Sequence, residues 1–210
     1  MQENNALYLV DCVTSLGGME VKMDDWNIDA LYSGTQKCLS CPPGLAPVSF
    51  SDRAVEKLTK RKTKVPNWYL DLSMITQYWS GQARVYHHTA PINMLYGLYQ
   101  ACFSVLEEGL EIVFSRHLEM HKLLIKELQT IGLELCVDKS VRLPMLNAVH
   151  IPQGADDVQI RSRLLKEYHI EIGGGLGPLA GKIWRIGLMG ETAREESIAT
   201  LVTALKEILD

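Results

Sequence analysis

The stretch YSGTQKCLSCPPG, Tyr32 to Gly44, holds one lysine, Lys37, among small and polar residues, with a tight Pro42-Pro43-Gly44 turn behind it. A lysine kept for solubility on a helix face needs no such surroundings. An amine attacks a carbonyl only when neutral, so a lysine with the ordinary pKa of about 10.4 is a poor nucleophile in neutral water unless burial or a neighbouring cation lowers it. Ser33, Gly34 and Thr35 leave room beside Lys37 for a flat ligand, which gives a Schiff-base reading. The plainer alternative is a surface lysine in a loop.

Asp11 ends the apolar run ALYLVD, 26 positions before Lys37. A carboxylate closing a strand buried on both faces should meet a cation or several donors. One such cation is a protonated pyridine nitrogen: at about 4 Å and an effective dielectric near 20, the attraction is roughly 4 kcal/mol. That would raise the ring's proton affinity by about three pKa units. The alternative is a capping or turn aspartate before VTS. Arg185 sits inside the apolar segment IWRIGLM, where a guanidinium wants a carboxylate to grip with two parallel hydrogen bonds. A protein acid or a substrate could supply it.

Other chemistry-bearing residues carry weaker signals. Cys38 and Cys41 form one C-x-x-C pair, whereas a structural zinc wants four ligands, so metal or redox work is not expected of them. His87 and His88 are adjacent, and in an extended segment they would point to opposite sides, leaving RVYHHTAP as a site-lining loop. GGGLGP does not fit the dinucleotide fingerprint, because Pro178 takes the place of its last glycine, and it reads as a flexible turn near a ligand.

The elements that must position these residues fall into two groups. ALYLVD, DALYSG and APVSFS read as three short strands in close succession, and SDRAVEKLTKRK as a helix with a Ser-Asp cap. APINMLYGLYQACFSVLEEG carries Pro91 near its start and Gly109 at its end, as helix boundaries require. From Leu110 to Ile131 apolar residues recur at helical spacing, giving a helix long enough to link two domains. Beyond it, LELCV, NAVHIP, IEIGG and WRIGLM read as strands. ADDVQIRSRLLKEY and a final segment striped by Ile198, Leu201, Val202, Leu205 and Ile208 read as helices. The fold class is α/β, with a small α+β layer at the carboxy-terminal end.

Composition sets the outer limits. A chain of 210 residues with 47% hydrophobic content can bury a substantial core. A net charge of -4 and basic residues scattered apart from KLTKRKTK argue against nucleic acid as a partner. No run approaches the roughly 18 apolar residues of a membrane span, and the first residues lack a signal-peptide pattern. The expected setting is cytoplasmic or another intracellular compartment, peroxisome and mitochondrion included, although KEILD carries no peroxisomal tripeptide. Five cysteines, an odd number in mostly apolar surroundings, do not make a disulfide framework.

Taken together, LYLVDCVTSLGG, DALYSGTQKCLSCPPG, RVYHHTAP and GGLGPLAGKIWRIGLMG resemble the alanine:glyoxylate (serine:pyruvate) aminotransferases, class V members of the fold-type I pyridoxal-phosphate enzymes. The likeness runs in order over nearly the whole chain. It implies the later part of a three-layer α/β/α large domain over residues 1–115, followed by a small α+β domain over 116–210. It further implies pyridoxal 5'-phosphate as cofactor, held by Lys37 as a Schiff base, with Asp11 on its ring nitrogen and Val13 against a ring face. Gln36 would lie by the phosphate, which Tyr86 and Thr89 would reach from the neighbouring subunit of a homodimer. Arg185 would bind the substrate's α-carboxylate, and no metal is implied.

The implied reaction is transamination of alanine or serine with glyoxylate or pyruvate. Members of the family are nearly twice as long, and this chain starts just before the Asp11 strand, so a complementary amino-terminal half is an expected partner. A non-catalytic assembly module of the same fold is an alternative. Another fold-type I reaction, such as 2-aminoethylphosphonate transamination or desulfuration, is a further one.

Overall fold

The Ser51 hydroxyl accepts a hydrogen bond from the Ala54 N–H and so starts helix α1, Asp52–Thr59, as its Ser-Asp signal anticipates. The computed structural model describes residues 4–80 and 85–209. Arg84, which opens RVYHHTAP, and the termini at Met1 and Asp210 lie outside these residues. Three strands precede or adjoin α1: β1 (Leu9–Asp11), β2 (Ala30–Tyr32) and β3 (Val48–Phe50), in the spatial order β1-β2-β3. β1 runs parallel to β2 with Asp11 opposite Tyr32, and β3 returns antiparallel. Because β1 and β2 are parallel, Asp11 and the segment leading to Lys37 leave the same end of the sheet.

Strand β1 departs from the expectation drawn from its composition. Leu9 and Asp11 are exposed and only Val10 is half-buried, so the strand is not covered on both faces. Its apolar cluster is small: Cys12, Ile28 and Leu31 are buried, with Tyr8, Val10 and Leu16 packed beside them. Asp29 stabilises this sheet from beneath, taking the Arg53 guanidinium, the Ser51 hydroxyl and the Tyr8 N–H on one buried carboxylate. These donors hold its pKa below the usual carboxylate range, with Arg53 the largest cause.

Helix α2, Leu72–Ser80, has no counterpart in the sequence reading; its first turn is capped where Asp71 accepts from the Ser73 N–H and hydroxyl. Helices α3 (Ile92–Glu108) and α4 (Leu110–Thr130) meet the expected bounds. Gly109, at φ 91, ends one and begins the other, a left-handed backbone position that favours glycine. None of the α3 residues is buried: Met94, Leu98, Ala101 and Val105 line a half-buried face, while Leu95, Tyr96, Tyr99, Phe103 and Leu106 are exposed.

The second sheet is β4 (Leu146–His150), β5 (Gly173–Gly174) and β6 (Ile183–Gly187), ordered β4-β6-β5 and antiparallel throughout. LELCV is reduced to a bridge between Leu135 and Val149 with flanking hydrogen bonds, because it meets β4 only locally. Of IEIGG, only Gly173 and Gly174 pair. Helices α4, α5 (Asp157–Tyr168) and α6 (Glu195–Leu209) cover one face of this sheet and bury Leu124, Leu128, Leu164, Trp184, Ile198 and Leu205 against it. Each such side chain contributes about 1.5–3 kcal/mol on burial. Among the described residues, no helix is long and apolar enough to cross a membrane.

Candidate active site

Lys37 stands in a turn directly after β2, where Ser40 N–H closes back onto Lys37 C=O. The hydroxyls around it are tied inward: Ser33 Oγ donates to Cys12 C=O and Thr35 Oγ1 to Pro42 C=O. That leaves the half-buried Lys37 and exposed Gln36 to face outward, into an open cleft of about 530 Å³ whose far wall is Gly187, Met189, Glu191 and Thr192. Among the described residues the Lys37 amine makes no ion pair and no hydrogen bond. An amine in that condition is free for a ligand.

Asp11 lies on the neighbouring strand end. Its Oδ1 accepts from the Val13 N–H at 2.8 Å and its Oδ2 from the Tyr32 hydroxyl at 2.8 Å. These two bonds, the Val13 amide first, hold its pKa below the ordinary carboxylate value. Asp11 is therefore an aimed, ionised acceptor with lone pairs to spare for a third donor. Val13, half-buried, is fixed by the same amide bond. The Asp11 and Lys37 segments are stitched together where the Cys38 thiol donates to Thr14 C=O at 3.2 Å. Even so, Asp11 opens onto its own cleft with Trp26 and Leu143, separate from the cleft that Lys37 lines.

Arg185 points from the middle of β6 away from the core that takes Trp184 and Ile186. By the period of two in a strand it shares a face with Gly187, which walls the Lys37 cleft. Its Nε donates to Gly174 C=O at 2.7 Å. No carboxylate pairs with it among the described residues, so of the two sources weighed for its partner, a protein acid is not the one present.

Tyr86 and Thr89 share a hydrogen bond of 2.6 Å on an exposed loop, and no hydrogen bond or ion pair joins them to Lys37, Gln36 or Asp11. The adjacent histidines do not point apart: His87 Nδ1 and His88 Nδ1 are 2.7 Å from one another. The His87 ring stacks on Trp68 at 4.4 Å between centroids and lies 3.2 Å from Trp68 C=O through Nε2. Cys38 and Cys41 are buried free thiols, and burial pushes that of Cys38 up to about 11. Tyr32, the second donor to Asp11, was missed in sequence because only the β1–β2 register brings it there.

An unpaired amine, an aimed carboxylate and an acid-free guanidinium are the donor set that a pyridoxal phosphate with an amino-acid substrate requires: carbonyl carbon, ring nitrogen and α-carboxylate respectively. By that chemistry the residues present fit the group.

Comparison with known proteins leads to the same place. The family described as Aminotransferase class-V matches residues 1–190. The chain is 40% identical to the (S)-ureidoglycine–glyoxylate transaminase of Bacillus subtilis, an alignment taking in 98% of this chain and 53% of that protein. It is 46% identical to the alanine–glyoxylate aminotransferase of Callithrix jacchus, over 97% of this chain and 50% of the relative. The crystal structure of an alanine–glyoxylate aminotransferase from Nostoc sp. superposes with a TM-score of 0.96 at 50% identity, over all of this chain and 55% of that one. The chain thus spans about half the length of the relatives it matches.

Proposed function

Since the chain belongs to the class-V aminotransferases, whose cofactor is pyridoxal phosphate and whose fold is fold-type I, we propose that it carries the catalytic lysine of a transaminase. This transaminase moves the amino group of a small amino acid, alanine or serine, to glyoxylate or pyruvate. Glyoxylate stands in the names of both kinds of relative, which favours it as acceptor. The observation that carries the reading is the Lys37 amine, left without a partner at the strand end it shares with Asp11.

Bound pyridoxal phosphate supplies an aromatic ring that takes up the electron pair left at the substrate's α-carbon. In this reading Lys37 Nζ would hold the cofactor and would serve as the base that takes the proton from the substrate's α-carbon. Asp11, kept ionised by Val13 and Tyr32, holds a proton on the ring nitrogen. Arg185 Nη1 and Nη2 grip the α-carboxylate, orienting the α-carbon proton toward Lys37. Gln36 is assigned to the phosphate, Val13 to a ring face, and Tyr86 with Thr89 to the phosphate of a second subunit in a homodimer. We divide the chain accordingly into a partial cofactor-binding domain through residue 115 and a small domain from residue 116.

Transaminase assays with alanine or serine as donor test the proposal, run on the chain alone and mixed with the amino-terminal half of a class-V relative. Turnover that Lys37→Ala abolishes supports it; association without turnover supports the second reading, an assembly module. The exposed stripe on α3 is what favours that second reading. Desulfuration gains no support, since Cys38 is buried and its thiol is held protonated.

A further inference from the structure

The turn after β6 is held at three backbone atoms. Gly190 N–H donates to His117 Nε2 at 2.9 Å, Gly190 C=O accepts from Arg116 Nη1 at 2.8 Å, and Glu191 N–H donates to Ser40 Oγ at 2.8 Å. Gly190 has φ 56, and a Cβ there would stand 1.8 Å from Ser40 Oγ and 2.8 Å from Cys38 C=O. Only glycine lets this turn seat on the turn that bears Lys37. The same turn brings Met189, Glu191 and Thr192 to the Lys37 cleft.

His117, on α4, has no solvent exposure. Its Nδ1 lies 2.7 Å from Val113 C=O, which can only accept, so the proton is on Nδ1 and Nε2 is bare. A bare Nε2 is what the Gly190 N–H needs. A second proton would set N–H against N–H. The charged groups facing the ring are Arg116 on its own helix and Glu108 at the end of α3, which grip each other through two hydrogen bonds. Burial is the largest influence and, with Arg116, opposes a positive ring; Glu108 favours one.

We infer that His117 is a positioning residue: its Nδ1–H tautomer fastens the Gly190 turn to α4 in the position from which Glu191 N–H reaches Ser40 on the Lys37 turn, and so sets the far wall of the cleft. The inference rests on the function proposed above, but the lock itself does not.

The test compares His117→Leu, which removes the acceptor, with His117→Gln, whose Oε1 can replace Nε2. Two readouts are used on the full chain. Amide exchange at Gly190 and Glu191 should be at least tenfold faster in H117L and near wild type in H117Q. Borohydride trapping of added pyridoxal phosphate on Lys37 should fall in H117L and recover in H117Q. Equal exchange in the wild type and H117L overturns the inference. Should H117L fail to fold, the ¹⁵N spectrum of wild-type His117 decides: Nε2 must show an unprotonated nitrogen at neutral pH, and an Nε2–H tautomer overturns the lock. Wild-type chain that traps no cofactor on Lys37 sinks the functional reading, while the exchange result still decides the lock.

Discussion

Around β6, among the described residues, fifteen buried side chains from three helices, a sheet and the segments that connect them close into one core; around β1 the corresponding cluster has three. The two regions each hold a three-stranded sheet but differ in cover. β4 and β6 have helices packed along one face, whereas β1 leaves Leu9 exposed at an open edge, and α3 leaves Tyr96, Tyr99 and Phe103 in solvent. The carboxy-terminal region is self-sufficient. The amino-terminal region, which holds Asp11 and Lys37, is thinly covered. Asp11 and Lys37 thus stand in the thinly covered region, which is tied to the other through Glu191 N–H on Ser40 Oγ.

The sharpest way to break this contrast is to cut one large side chain from each region. Trp184, fully buried, also donates to Asp157 Oδ1 at 2.9 Å, and Trp184→Ala should cost about 3–5 kcal/mol in urea denaturation. Trp79→Ala, at a residue 70% exposed, should stay within about 0.5 kcal/mol. Similar costs at the two sites would abolish the distinction between the regions.

Acid should separate the regions next. Burial holds His117 and His121 below the ordinary histidine value. The unfolded chain protonates these rings near pH 6.5, so their contribution is intact above that pH and is lost as pH falls through their lower folded values. Asp29, held low mainly by Arg53, keeps the first sheet intact until pH falls below about 4. Native-state hydrogen exchange at pH 7.5 and 5.5 should therefore show α4 and β4 weakening while β2 and β3 hold. Uniform weakening would contradict this.

These dependencies mark the limit of what the residues reveal in order. Ser51, Pro91 and Gly109 announce helix ends because capping is local, and the stripe on α6 announces its buried face for the same reason. Asp11, Lys37 and Arg185 stand out as charged groups set among apolar or small neighbours. What sequence hides is pairing across distance: Tyr32 meets Asp11 through strand register, and His117 meets Gly190 across 73 positions. The His87–His88 contact depends likewise on a ring stack with Trp68. β1 read as doubly buried because an apolar run carries no sign of which faces are covered, and Leu9 is exposed.

The smallest expected effect concerns the carboxylate itself. Tyr32→Phe removes one of two donors to Asp11, so the Asp11 pKa should rise toward its ordinary value while the Val13 amide still holds part of the depression. Carbon-detected NMR titration reads this directly, and stability should change by about 0.5–1.5 kcal/mol at most. An unmoved Asp11 would remove Tyr32 from the site.

The most direct test of the central claim is to add pyridoxal phosphate to the chain, reduce with borohydride and map the labelled lysines by peptide mass. Lys37, unpaired beside the Asp11 strand, should carry label in preference to every other lysine, and Asp11→Asn should weaken that preference. Label spread evenly over the exposed lysines Lys57, Lys60, Lys62 and Lys64, or absent from Lys37, would contradict the assignment of Lys37 as the cofactor's anchor.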